Sequence, residues 1–295
     1  QAMEFFSEQI GPYSYEKLAN VEAAGFGGGT EHASAIFYGE NSILTNPGTG
    51  LIRPGTGLIA HEIAHQWFGN SVTEKDWDDV WLSEGFATYF TLLFIEHAYG
   101  RDEFVAGLRD SRKTVLDFYL KTPDYRVVHQ NLTDMAQVTS AMTYQKGSWV
   151  LHMLRQTMGD DRFWAGIREY YSRWQDSNAS TTDFRLAMEH ASGLDLTGFF
   201  QQWLYRGGVP RVDGTWQWDA TAKQVILELR QAQPGEPFRL SVEIGITEPG
   251  ARLRVERVDL SGQSGRFSFP AAQEPTAVEL DPNTRLLVDG HLIRR

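Results

Sequence analysis

The 295-residue chain contains no cysteine. Disulfides, thiol catalysis and thiolate metal sites are thereby excluded, and any bound metal must be held by imidazole and carboxylate groups. No stretch approaches 18 uninterrupted apolar residues, so no membrane-spanning helix is encoded. Positive charge is scarce as well. Against 38 Asp and Glu there are 27 Lys and Arg, a formal charge of −11, and most of the excess falls in the first 208 residues. Such a surface repels phosphate backbones and anionic lipids, which argues against nucleic-acid and membrane partners and mildly favours cationic ligands. The chain opens at Gln1 rather than Met and has no charged-then-apolar leader, so a fragment or processed form is expected. Compartment and oligomeric state stay open.

The patterning that is present changes character along the chain. Residues 1–11 read as the end of an amphipathic helix, halted by Gly11-Pro12. Two short strand-like runs follow, near Leu18–Ala24 and Ala33–Tyr38, with the glycine-rich "GFGGGTEH" between them. The punctuation of "NPGTGLIRPGTG" marks a loop. From Leu58 the period turns helical, with Thr56 as N-cap and Gly69-Asn70 as the stop. Further helices are predicted near 80–98, 102–121, 141–158, 160–175, 181–192 and 195–206. Beyond "RGGVP" the period becomes two. In "FRLSVEIGI", Phe238, Leu240, Val242, Ile244 and Ile246 share one face, and "QVILELR" aligns Val225, Leu227 and Leu229. With turns at "QPGEP", "EPG", "SGQSG" and "DPN", this argues a small antiparallel β domain. The expected organisation is therefore α+β: a mostly helical domain over 1–208, then a β domain over 209–295.

The chemistry concentrates in "HEIAHQWFGN". Residues four apart on a helix share a face, so His61 and His65 direct their imidazoles at one point. Zn²⁺ accepts such nitrogens, and a catalytic zinc takes three protein ligands and keeps an open position. Glu62, offset by about 100° on the helix, borders the metal without binding it and can accept a proton from a zinc-activated water. H-E-x-x-H is the corresponding metalloprotease motif. Two core histidines at chance spacing would be the plain alternative, and the third ligand decides against it. Glu84 follows His65 after eighteen residues, within "WLSEGFATYF", a run that is apolar nearly all round. Such a helix is buried, and a buried carboxylate needs a cation. One zinc ion per chain supplies it.

H-E-x-x-H, eighteen residues, then E resembles the aminopeptidase N-like zinc aminopeptidases, the gluzincin group that includes leukotriene hydrolase. "GNSVT", "WLSEGFATYF", "TYQKG" and "DLTGFFQQWLYRGGVP" extend the resemblance over roughly Phe5–Pro210. It implies a thermolysin-like catalytic domain followed by a β-sandwich, and hydrolysis of the N-terminal residue from peptides with a free N-terminus. The family's exopeptidase motif falls on Gly28-Gly29-Thr30-Glu31-His32, so Gly28 and Gly29 line the substrate and Glu31 binds its amine. A bare glycine turn is the competing reading of this stretch; a phosphate loop is disfavoured because G-x-G-x-x-G fails at Thr30. Tyr144, in "TYQKG", matches the family's catalytic tyrosine, a hydroxyl donor to the developing oxyanion. Three positions depart from the family: Thr30 for Met, His32 for Asn, and Thr91 where an acidic residue orients a zinc histidine. Relatives also carry an N-terminal β domain and strands that would precede Gln1, so either the parent is longer or the site is more open. Trp67, Trp77, Trp81 and Trp149 read as core. His97, His129, His152, His190 and His291 lack ligand spacing, and Asp76, Asp78 and Asp79 read as a solvated run. The alternatives to an aminopeptidase are a zinc endopeptidase, an epoxide hydrolase-like relative, or a non-catalytic scaffold.

Overall fold

The computed structural model describes residues 1–25, 27–45, 52–129 and 138–295. Phe26 of the glycine-rich stretch and 46–51 of the Gly/Pro loop lie outside the described residues. The chain mixes helices and strands in two compact units, Gln1–Gly207 and Gly208–Arg295.

The first unit begins with helix α1 (Ala2–Gln9), then strands β1 (Ala19–Ala23), β2 (Gly29–Thr30) and β3 (Ala35–Gly39). These three form a sheet in which β3 is central, parallel to β1 and antiparallel to β2. Helices α2 (Ser42–Thr45) and α3 (Thr56–Ala64) follow, then β4 (Val72–Glu74), a 3₁₀ turn over Trp77–Asp79, and the long helices α4 (Trp81–Tyr99) and α5 (Arg101–Tyr119). A π-helical turn (Met142–Lys146) runs into α6 (Gly147–Met158), so the single helix predicted over 141–158 has two hydrogen-bonding registers. The unit closes with α7 (Asp160–Trp174), β5 (Ser177–Ala179), α8 (Thr181–Ser192) and α9 (Thr197–Trp203).

Helix α4 is the axis of this unit. Its apolar side chains point all round, and Trp81, Phe86 and Phe90 are fully buried. Each ring so buried contributes about 1.5–3 kcal/mol. The surrounding helices carry one apolar stripe each. In α5, Phe104, Leu108, Ser111, Val115 and Tyr119 recur every three or four residues and face inward. Helix α8 has a complete capping box, Ser180 with Asp183, and ends at Gly193 in the left-handed region. Asp79 is not solvated: it is 8% exposed, and its Oδ1 accepts from both the Thr181 amide and hydroxyl. Trp67, Trp81 and Trp149 are core, whereas Trp77 is 57% exposed, because its short 3₁₀ turn has no apolar face to bury.

The second unit holds β6 (Arg211–Asp219), β7 (Gln224–Gln231), β8 (Leu240–Thr247), β9 (Arg254–Leu260), β10 (Ser264–Pro270), β11 (Ala277–Leu280) and β12 (Asp289–Arg294). They form a four-stranded sheet, β10-β7-β6-β12, and a three-stranded sheet, β11-β8-β9. All pairings are antiparallel except β12 with β6. Val225, Leu227 and Leu229 of β7 are buried together. In β8 the alternation fails at Glu243, which is buried because Arg257, Arg285 and Asn283 all bond its carboxylate.

Candidate metal centre and cleft

Helix α3 starts at Gly55, whose φ of 79° is in the left-handed region, so Thr56 is the first helical residue rather than the cap. It ends at His65, earlier than the Gly69-Asn70 stop. The amides of Gln66 and Trp67 reach back only three residues, which tightens the turn and drives Trp67 and Phe68 into the core. Trp67 is held there by a bond from its indole to the Gly11 carbonyl, 2.9 Å.

This short helix still presents His61 and His65 on one face. Their Nε2 atoms are 3.0 Å apart, and each is 3.2 Å from Glu84 Oε2, in the first turn of α4. Three donors thus form a near-equilateral triangle, close to the spacing of about 3.3 Å that tetrahedral ligands have when each is about 2.0 Å from one ion. The tautomer fits too. His65 Nδ1 lies 3.1 Å from the Phe68 carbonyl, which can only accept, so Nδ1 carries the hydrogen and Nε2 offers its lone pair. The Ser83 hydroxyl touches the same Nδ1 at 3.1 Å. Burial alone would raise the Glu84 carboxyl, but bonds from both imidazoles outweigh it and hold the group well below the usual carboxylate range. Burial also opposes charge on the rings. His61 is pushed down by it, while the hydrogen bond to Glu84 carries His65 up to about 9. Glu84 thus favours one additional proton on His65, and a cation seated among the three donors would take that proton's place. Donor set, tautomer and charge all fit a divalent zinc.

Glu62 turns to the neighbouring side. It is 4% exposed, its Oε2 has no hydrogen-bond partner, and burial raises its carboxyl to about 7. Gly29 lies directly against it. A Cβ at Gly29 would stand 2.4 Å from Glu62 Oε1, so only glycine lets β2 pass this close. Gly28 lies just outside the cleft lining, with φ +82° and its N–H donated to Ser42 Oγ. Glu31 follows β2 and comes together with Glu62 and His65, their ligand atoms within 4.8 Å of one another. Its backbone is tied to α3's end, where the Gln66 and Asn70 amides both donate to the Glu31 carbonyl.

Tyr144 approaches from the π-helical turn. Its hydroxyl donates to Glu84 Oε1 at 2.7 Å, and its ring stacks on His61 with centroids 5.9 Å apart. Two glycines permit this. A Cβ on Gly85 would lie 2.9 Å from the Gly147 Cα, so α4 and α6 touch backbone to backbone, one residue after Glu84 and three after Tyr144. These groups line a cleft of about 440 Å³. A larger hollow of about 830 Å³ in the second unit gathers arginines and carboxylates, such as Arg295 and Glu228 at 2.7 Å, but no comparable donor set.

Thr91 does not reach a histidine: its hydroxyl donates to the Ala87 carbonyl at 2.8 Å, within its own helix. The orienting work falls to Phe68 and Ser83. Sequence alone gives Phe68, Ser83, Gln66 and Asn70 no role at the site, Asn70 entering only as part of a helix stop, although Ser83 adjoins Glu84 and "QWFGN" adjoins His65. Among the other histidines, His152 is core and lies 3.1 Å from the Tyr89 hydroxyl.

The Peptidase family M1 domain matches residues 1–203. Glutamyl aminopeptidase of Homo sapiens is 33% identical over 234 residues, 76% of this chain and 24% of that protein. Tricorn protease-interacting factor F2 of Thermoplasma acidophilum is 29% identical over 82% of this chain and 32% of its own length. Aminopeptidase N of Lactococcus lactis is 37% identical over 163 residues, 52% of this chain and 19% of that protein. Among solved structures, Legionella pneumophila aminopeptidase A in complex with aspartic acid superposes with a TM-score of 0.82 at 19% identity, over 98% of this chain and 34% of that one. The chain thus spans about a quarter to a third of these relatives' lengths, or less.

Proposed function

The chain belongs to peptidase family M1, and from that premise we propose that it is a zinc-dependent aminopeptidase. The observation that carries the reading is convergence: a three-donor triangle, an unpartnered carboxylate, a phenol and a further carboxylate meet in one cleft. His61, His65 and Glu84 would hold one zinc ion. Bound there, zinc would supply Lewis acidity toward a peptide carbonyl and acidify a neighbouring water.

The chain's own residues do the rest. Glu62, through its open Oε2, accepts the proton of the attacking water and returns it to the departing amine. Tyr144 turns its hydroxyl from Glu84 to the carbonyl oxygen as that atom gains charge, a bond that strengthens toward the transition state. Glu31 pairs with the substrate's free α-ammonium, which sets the scissile bond one residue from the chain end. Gly29 keeps β2 close enough for both carboxylates to face one substrate. The substrates are peptides with a free N-terminus. The helical unit is read as a thermolysin-like catalytic domain over 1–208 and the two sheets as a β-sandwich over 209–295. No helix among the described residues is long and apolar enough to cross a membrane.

Substitution Glu62→Gln tests the assignment. It should leave zinc content at one per chain while turnover falls about 10²–10⁴-fold, and a variant with normal turnover would end the reading. N-acetylated peptides separate the exopeptidase from an endopeptidase: blocking the amine removes Glu31's partner, so they should resist cleavage.

A further inference from the structure

The His61–His65–Glu84 triangle is one of two donor sets in the cleft. Glu31, Glu62 and His65 form the other, with their ligand atoms within 4.8 Å of one another. The sets share His65. Its Nδ1 is engaged by the Phe68 carbonyl, so Nε2 is the atom that it offers, and a cation in the first set takes it. What remains is a pair of carboxylates from two different elements, one following β2 and one on α3. Glu62 Oε2 is buried without a hydrogen-bond partner, and both carboxylates line the cleft.

Charge points the same way. With Glu31, Glu62 and Glu84 ionised and one dication bound, the group carries a net charge of −1. No Lys or Arg lines this cleft among the described residues to balance it. A substrate ammonium would bring the group to zero. A second dication meets the same two carboxylates with twice the Coulomb attraction at equal distance. Oxygen donors are ordinary ligands for zinc, at about 2.0–2.2 Å.

We propose that Glu31 and Glu62 form a second, weaker divalent-cation site beside the first, and that an ion held there excludes the substrate's ammonium. The proposal rests on the zinc reading above. Excess Zn²⁺ then competes with peptide for one pair of carboxylates.

The test is a zinc titration by calorimetry, using chain already loaded with one equivalent. A second equivalent should bind more weakly than the first. Glu31→Gln, nearly isosteric, should weaken that second step at least tenfold and retain the first equivalent, which also reports an intact fold. Leucinamide, which carries a free α-ammonium, should weaken the second step by competition. A titration that stops at one equivalent overturns the proposal and leaves the zinc reading standing. So does a second step indifferent to both Glu31→Gln and leucinamide, the signature of a stray surface site. A chain that retains no zinc at all overturns the zinc reading, and this inference with it.

Discussion

At the scale of single residues, the cleft is built from carboxylates that burial would otherwise neutralise. Glu84 stays ionised because two imidazoles face it; Glu62 has no such partner and is raised to about 7. The two carboxylates thus differ because their surroundings differ. Tyr144→Phe removes one hydroxyl and little packing. It should lower kcat about 10²–10³-fold with zinc content unchanged, and steady-state kinetics beside metal analysis will show it. Gly69→Ala acts on the ligand instead. Gly69 has φ +118°, and a Cβ there would stand 2.4 Å from Ser83 Oγ and 3.0 Å from His65 Nδ1. Displacing the groups that orient His65 should weaken zinc binding about 10–100-fold, readable by competition with a chromogenic chelator; unchanged affinity would mean that His65 needs no such support. The three donors proposed as ligands, His61, His65 and Glu84, are legible from spacing, and the structure brings their ligand atoms within 4.8 Å of one another. Ser83 and Phe68 are not legible in that way, because a serine and a backbone carbonyl carry no distinctive pattern.

At the scale of elements, the π-helical turn is the feature that helical periodicity hides. A run over 141–158 reads the same whether its first hydrogen bonds span four residues or five, yet the wider turn is where Tyr144 and Lys146 lie. Lys146 is fully buried, with its ammonium 4.7 Å from the Tyr119 ring centroid and 2.5 Å from the Tyr119 hydroxyl. Burial, reinforced by Arg206, lowers it from 10.5 to about 7. Between those two values the unfolded chain holds a proton that the folded chain has released. Stability therefore rises with pH across that window, and the destabilising contribution is fully present below about 7. His65, carried up from 6.5 to about 9, contributes the opposite slope over part of that window. Thermal melts from pH 7 to 10 therefore read Lys146 as a difference: Lys146→Met should gain stability over the unsubstituted chain near pH 7 and lose that advantage toward pH 10. A slope that survives the substitution belongs to other groups. Helix α3 teaches a related lesson. Its apolar period continues through Trp67 and Phe68, but those rings are buried by a tightened turn rather than by another turn of α-helix.

At the scale of the whole molecule, the His61–His65–Glu84 donor cluster lies entirely within Gln1–Gly207, and Gly208–Arg295 has its own two sheets. A ligand that binds only the folded state stabilises the unit that holds it, by about 2.7 kcal/mol at a hundredfold excess over Kd. Scanning calorimetry should accordingly show two transitions, of which chelation lowers one and added zinc restores it; a uniform shift of both would mean that the units unfold together. By itself the sequence determined the donor types, the one-turn spacing of His61 and His65, the burial of α4 and the change from helical to strand period. All of these follow from side-chain chemistry and repeats of two or 3.6 residues, which operate over a few positions. Tertiary structure alone decided that Tyr144 meets Glu84 across 60 positions, that Gln66 reaches back 35 to the Glu31 carbonyl, and that Asp79 is engaged by Thr181 rather than solvated. Those meetings depend on how closely packed helices and a strand can approach, a distance set at Gly29, Gly85 and Gly147 by the absence of a side chain.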